Sequence, residues 1–181
     1  MRLHLILMIG FILLQSCSLA QRGMYSSKSK KAIKYYESAR TCFNTIDPIS
    51  GLPGLECALD YVLKAIRKDS NFTEAYSLVS NIFIEKSDIQ RAIFYREKMI
   101  AKSNRVPSVE YYYLASMYMA TGQYLKCKSY AQKFLNQINS NEALVQKCLK
   151  FIKDCDFALK ALATPSAVSY THLTLPTKSR G

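Results

Sequence analysis

The chain has 181 residues, 49% of them hydrophobic and 21% charged, with 13 Tyr, six Cys, no Trp and a formal net charge of +12. That length builds one domain with a real core and excludes two large ones, and the apolar content is enough to fold. In a cytosolic protein the basic excess would favour nucleic acid.

The first element in chain order is MRLHLILMIGFILLQSCSLAQ. Arg2 precedes an apolar run from Leu3 to Leu14, and Ser18-Leu19-Ala20 supplies a small-x-small cleavage site. Residues 1–20 are therefore expected to be a secretory signal peptide, the run being too short for an ordinary membrane span. A second cleavage option is open. Leu14 to Cys17 resembles a bacterial lipobox, with Cys17 as the lipidated residue, although Gln15 is unusual there. Both routes export the chain, to the periplasm or outer membrane, and only the second ties it to a membrane. Export removes the nucleic-acid reading. Acidic lipid head groups, peptidoglycan carboxylates or acidic proteins become the natural partners of a basic domain.

Helical periodicity begins near Lys28, with Ile33, Tyr36, Ala39 and Phe43 at three-to-four spacing. DPISGLPG interrupts it, and a second stripe follows through Ala58, Val62, Ala65 and Ile66. Two further hairpins are divided near Lys86–Asp88 and at Thr121–Gln123, and a last helix runs from about Asn141 to Leu162. No stretch alternates as a strand would, so the chain reads as all-α. Of the cysteines, Cys148 and Cys155 share a helix face and point to packing. Cys42 and Cys57 flank one loop and could meet as a disulfide, though small buried thiols are the default reading.

The hairpins repeat. Tyr76 aligns with Tyr111, Val79 with Leu114, Ser80 with Ala115, Phe83 with Tyr118, Ala92 with Cys127 and Met99 with Phe134, an offset of 35 residues. This resembles the tetratricopeptide (TPR) repeat, whose period is about 34. The resemblance implies a TPR-type helical-hairpin solenoid over residues 21–163, with about three repeats and a C-terminal capping helix. Small residues are needed where paired helices cross: Ser80 with Ala92, Ala115 with Cys127, and in the first hairpin Ala39, with Ala58 and Ala65 on the second helix. Arg96 stands where an aromatic is usual, Ser70 where Pro is usual, and the first hairpin carries roughly seven extra residues.

SSKSKKAIKYYESA after the signal, the three repeats, and Cys155-Asp156-Phe157-Ala158 near the end extend the likeness. Together they resemble the N-terminal segment of Bacteroidota cell-envelope proteins. Those proteins join TPR repeats to a WD40-like (PD40) propeller and an OmpA-like peptidoglycan-binding domain, and some belong to type IX secretion or gliding machinery. Peptidoglycan contact would then come only through the missing C-terminal domain. The tail 164–181 is expected to be unstructured. Its part 167–181, AVSYTHLTLPTKSRG, resembles a translated transposase mosaic end and sequencing adapter, an artefact outside fold reasoning. The chain is accordingly expected to be a fragment. With Arg2, Lys178 and Arg180 set aside, the net charge falls from twelve to nine.

Catalysis is not expected. No Ser/His/Asp, Cys/His or phosphate-loop arrangement occurs, and Asp154 and Asp156, two apart, cannot share a helix face. No cofactor, metal or nucleic acid is implied. A stack of repeats instead offers a concave groove lined by the first helix of each pair. By repeat position its candidates are Tyr36, Arg40 and Phe43, then Ser77, Asn81 and Ile84, then Tyr112, Tyr113, Ser116 and Met119. Tyr suits a peptide site because it gives contact area and a hydrogen bond at low entropy cost. The functions in view are a protein-binding scaffold, a structural spacer packed on its own propeller, and an exported polysaccharide-binding module.

Overall fold

The computed structural model describes residues 25–46, 54–137 and 141–163. The signal segment with Cys17, most of the DPISGLPG insertion and the tail from 164 onward lie outside the described residues. Among the described residues there are seven helices and no strand: α1 (Lys30–Asn44), α2 (Leu55–Lys68), α3 (Thr73–Glu85), α4 (Ile89–Lys102), α5 (Ser108–Ala120), α6 (Tyr124–Leu135) and α7 (Glu142–Ala163). α1–α2, α3–α4 and α5–α6 pair as hairpins, α2 meets α3, α4 meets α5, and α7 packs on α6 and α5. This is an all-α, TPR-type solenoid of three hairpins with a C-terminal capping helix. No helix among the described residues is long and apolar enough to cross a membrane.

Local chemistry sets the helix boundaries. α1 starts after Ser29, whose hydroxyl accepts from the Ala32 amide at 3.3 Å. α4 starts after Asp88, whose carboxylate accepts from the Arg91 amide at 2.9 Å. Both side chains satisfy an amide that the first helical turn leaves unpaired. The Arg91 bonds hold the Asp88 carboxyl below its usual range.

The two complete hairpin turns share one geometry. The amide of Asp88 donates to Phe83 at 2.8 Å, and that of Gln123 to Tyr118 at 2.9 Å. Both bonds wrap back over the end of the first helix, as in a Schellman ending. The motif needs a left-handed residue between helix and turn. Gly122 fills that place at φ 69°, and Ser87, its equivalent 35 residues earlier, at φ 58°.

The core sits where the paired helices cross. Ala39, Ala58, Ser80, Ala92, Ala115 and Cys127 are all fully buried. The Ser80 hydroxyl donates to the Ala92 carbonyl at 2.9 Å, a contact that forms only if the two backbones lie close. Val79, Leu114, Phe83, Tyr118, Met99 and Phe134 fill the space around these crossings. Cys148 and Cys155 are buried on the inner face of α7. Burial pushes the Cys148 thiol up to about 11, and Cys127 is also raised by burial and by Cys155 beside it.

The first hairpin departs from the default cysteine reading. Cys42 and Cys57 form a disulfide, and Cys57 is exposed rather than buried. The Ala39 and Ala58 crossing draws the two helices together, leaving these Cα atoms 5.8 Å apart. Gly54 permits the close return of the loop: a Cβ there would lie 2.9 Å from the Cys42 carbonyl oxygen.

The shared turn geometry generates a test. Ser87 holds a left-handed conformation that costs an ordinary residue roughly 1–2 kcal/mol. Ser87→Gly is therefore expected to raise stability by about 1 kcal/mol, net of glycine's greater entropy loss. Urea denaturation followed by circular dichroism measures this, and an unchanged or lower midpoint contradicts it.

Candidate functional site

One face of α1 and one face of α3 form the walls of a concave cavity of about 470 Å³. Tyr36, Arg40 and Phe43 come from α1, and Thr73, Ser77 and Asn81 from α3, each set spaced to lie along one helix face. The α4–α5 connection closes the side with Ser103, Arg105 and Pro107, and Glu110 enters from the first turn of α5. A second cavity of about 810 Å³ adjoins it, sharing Thr73, Glu74, Ser103 and Arg105. The two make one trough across the first two repeats.

Five of the ten expected groove residues line this trough: Tyr36, Arg40, Phe43, Ser77 and Asn81. Ile84, Tyr112, Tyr113, Ser116 and Met119 do not. Ile84 is exposed at the far end of α3. Tyr112 stacks on Phe151 of α7 and leans on Phe134, each with ring centroids 6.1 Å away. Met119 meets Cys155 of α7, sulfur to sulfur, at 3.8 Å. Tyr113 is exposed and lies under the Arg96 guanidinium, 4.9 Å from its ring centre. Ser116 is half-buried on α5. For Tyr112 and Met119 the physical reason is α7: where a further repeat's groove face would open, this helix packs on them instead.

Arg96 organises the wall between repeats two and three. It is 2% exposed, and all three guanidinium nitrogens are engaged. Nε donates to the Ser80 hydroxyl at 3.1 Å, one terminal nitrogen to Asn81 Oδ1 and the other to Glu110 Oε2. Asn81 and Glu110 both line the cavity, so the buried cation orients two of its polar groups from behind. It also links a helix-crossing residue of repeat two to the first turn of repeat three. A charge so deep is tolerated because each of its three nitrogens donates to an acceptor, one of them a carboxylate. At the equivalent place in the next repeat stands Ala131, fully buried with no such network.

The remaining cavity electrostatics are uneven. Glu74 accepts from both the backbone amide and the hydroxyl of Ser26, and Glu110 is paired with Arg96. Both carboxylates are thus internally occupied. Arg40 pairs with Glu37 at 3.3 Å on an exposed surface, where such a pair is weak. Arg105 is exposed at the rim. Burial pushes the Tyr36 phenol up to about 12, so it stays a neutral hydroxyl at physiological pH. Among the described residues no group of three or more His, Cys, Asp or Glu is placed to hold a metal.

Sequence reasoning missed Glu74, Arg105, Glu110 and the segment Tyr25–Ser27. Only Arg96 carried a signal, as a charge at a position the repeat reserves for an aromatic.

No protein-family model matches the chain, and no curated protein matches it. Among solved structures it is similar to the first TPR of Spaghetti (RPAP3) bound to the HSP90 peptide SRMEEVD, with 17% identity and a TM-score of 0.57. That match covers 76% of this chain and 97% of the other. Two crystal structures of MamA match at 18% identity with TM-scores of 0.50 and 0.51. They cover 73% and 80% of this chain, and 80% and 79% of their own. At these identities the likeness shows the fold, a TPR solenoid.

The Arg96 network can be tested by removal. Arg96→Ala leaves Glu110, Asn81 and Ser80 without their donor and is expected to cost roughly 3–5 kcal/mol. Replacing both charges, R96L/E110L, is expected to cost clearly less, because no buried charge is stranded. Chemical denaturation of the two variants checks the order, and equal losses contradict it.

Proposed function

We propose that this chain is a non-catalytic protein-interaction scaffold whose trough takes a short peptide segment of a partner. The observation that carries the reading is the concave trough itself, walled by Tyr36, Arg40, Phe43, Ser77 and Asn81. Its polar groups are oriented by a buried cation rather than arranged for proton transfer. Aromatic surface, hydroxyls and an amide on a preformed concave wall suit a peptide better than a reaction. The peptide-bound state of the Spaghetti TPR supports this use of the fold.

Location is part of the proposal. We place the protein in the cell envelope, exported by residues 1–20 and tied to a membrane only if Cys17 is lipidated. The Cys42–Cys57 disulfide supports an oxidising compartment. The resemblance of residues 21–163 supports an N-terminal arm of a larger envelope protein linked to peptidoglycan, of the type associated with type IX secretion or gliding.

One observation favours the spacer reading beside it. On the outer side of α7, Leu149 and Phe157 are 47% and 76% exposed, and Leu162 at its C-terminal end is 69% exposed. Exposed apolar side chains on a terminal helix suit packing on a following domain.

The scaffold reading is tested with peptides selected from a displayed random library on the whole chain. Ser77→Trp fills the trough floor and is expected to weaken the selected peptides by about tenfold or more, with helicity unchanged. Undiminished binding to a folded Ser77→Trp variant contradicts the trough as the site.

A further inference from the structure

The segment before α1 is held by other parts of the stack. Tyr25 lays its ring edge-on against Tyr36 and Phe72, at centroid distances of 5.4 and 5.9 Å. Its hydroxyl donates to Glu37, and Arg40 donates to it at 3.3 Å. The backbone amide of Ser26 donates to Glu74 Oε1 at 2.9 Å, and its hydroxyl to Glu74 Oε2. That same hydroxyl accepts from the Thr73 amide at 3.0 Å. Ser27 is buried and donates to Asp69 Oδ2 at 2.5 Å.

These bonds do more than start a helix. Ser29 already caps α1, so α1 makes no demand on Tyr25 or Ser26. At α3 the N-cap position is Phe72, whose side chain has no acceptor, and the hydroxyl of Ser26, 47 residues before Thr73, supplies one to the Thr73 amide. Thr73 and Glu74 line both cavities of the trough, and Tyr25 and Ser26 line the second. Side chains of the groove and of the adjoining α2–α3 turn thus grip an aromatic ring, a backbone N–H and two serine hydroxyls, which is how a peptide ligand would be gripped.

We infer that this end of the trough is a peptide subsite for an aromatic–serine–serine segment, filled in cis by Tyr25–Ser27. The ring sits against Tyr36 and Phe72, Glu74 takes the following N–H and hydroxyl, and Asp69 takes the last hydroxyl. A partner peptide of the same chemistry enters by displacing the cis segment, whose tether gives it a high effective concentration. The inference rests on the trough being a peptide site and names what one end of it recognises.

The test uses the full chain and a labelled synthetic peptide of residues 24–29, Met-Tyr-Ser-Ser-Lys-Ser. The variant Y25A/S26A removes the ring and the Ser26 hydroxyl from the subsite. The peptide is expected to bind it about tenfold or more tightly than it binds the unaltered chain, because the cis competitor is weakened. The same peptide with Tyr replaced by Ala is expected to bind neither. Equal affinity for the two proteins, or no binding to a folded variant, overturns the inference. Amide hydrogen exchange on the unaltered chain gives a second reading that needs no variant. The Ser26 and Thr73 amides are expected to exchange about tenfold or more faster than those of Ala92 and Leu114, as a displaceable segment opens locally. Exchange as slow as the core's overturns it by showing a permanent end cap. A chain that binds this peptide but no library peptide keeps the subsite and loses the wider trough reading.

Discussion

Two helices lie close together only where neither puts bulk between them, and every larger feature of this molecule follows from that constraint. Ala39 with Ala58, Ser80 with Ala92, and Ala115 with Cys127 are fully buried, and the Ser80 to Ala92 bond registers the approach directly. Close crossings leave large side chains to fill the gaps between hairpins, and successive hairpins therefore stack rather than lie apart. The concave trough is a result of that stacking. Its walls are the free faces of α1 and α3, and its closed side is the connection between α4 and α5.

The third repeat shows how the same architecture can bury its own groove. Tyr112 and Met119 occupy places whose counterparts one repeat earlier are Ser77, in the trough, and Ile84. With α7 packed beside them they meet Phe151 and Cys155 instead. The trough therefore lies across repeats one and two and reaches repeat three only at its first turn, through Glu110, which Arg96 holds. That arginine makes the junction polar and specific, since its bonds to Ser80, Asn81 and Glu110 require all three elements in register.

The helical hairpins were legible in the sequence because they depend on local and periodic signals. The 35-residue offset, the small residues and the breaks near Lys86–Asp88 and Thr121–Gln123 needed no tertiary knowledge. What escaped depended on partners far along the chain. Tyr25–Ser27 has no helical period, and its partners lie up to 48 residues away. The fate of Tyr112 is decided by Phe151, on a helix whose packing angle no spacing rule gives. Arg96 was visible as an oddity, but its burial follows from Glu110 on the next repeat. The Cys42–Cys57 pairing depended on how closely the first crossing draws two helices together, which the spacing left open.

The most direct test of the account is a small-to-large change at a crossing that carries no polar network. Ala115→Leu places a larger side chain between α5 and α6, with the exposed Ala101→Leu as its surface control. The account expects denaturation of Ala115→Leu to show a loss of roughly 1–3 kcal/mol from overpacking, and Ala101→Leu to stay near the unaltered chain. An Ala115→Leu protein as stable as the original would show that the helices do not approach closely there, and the stack as described would be wrong.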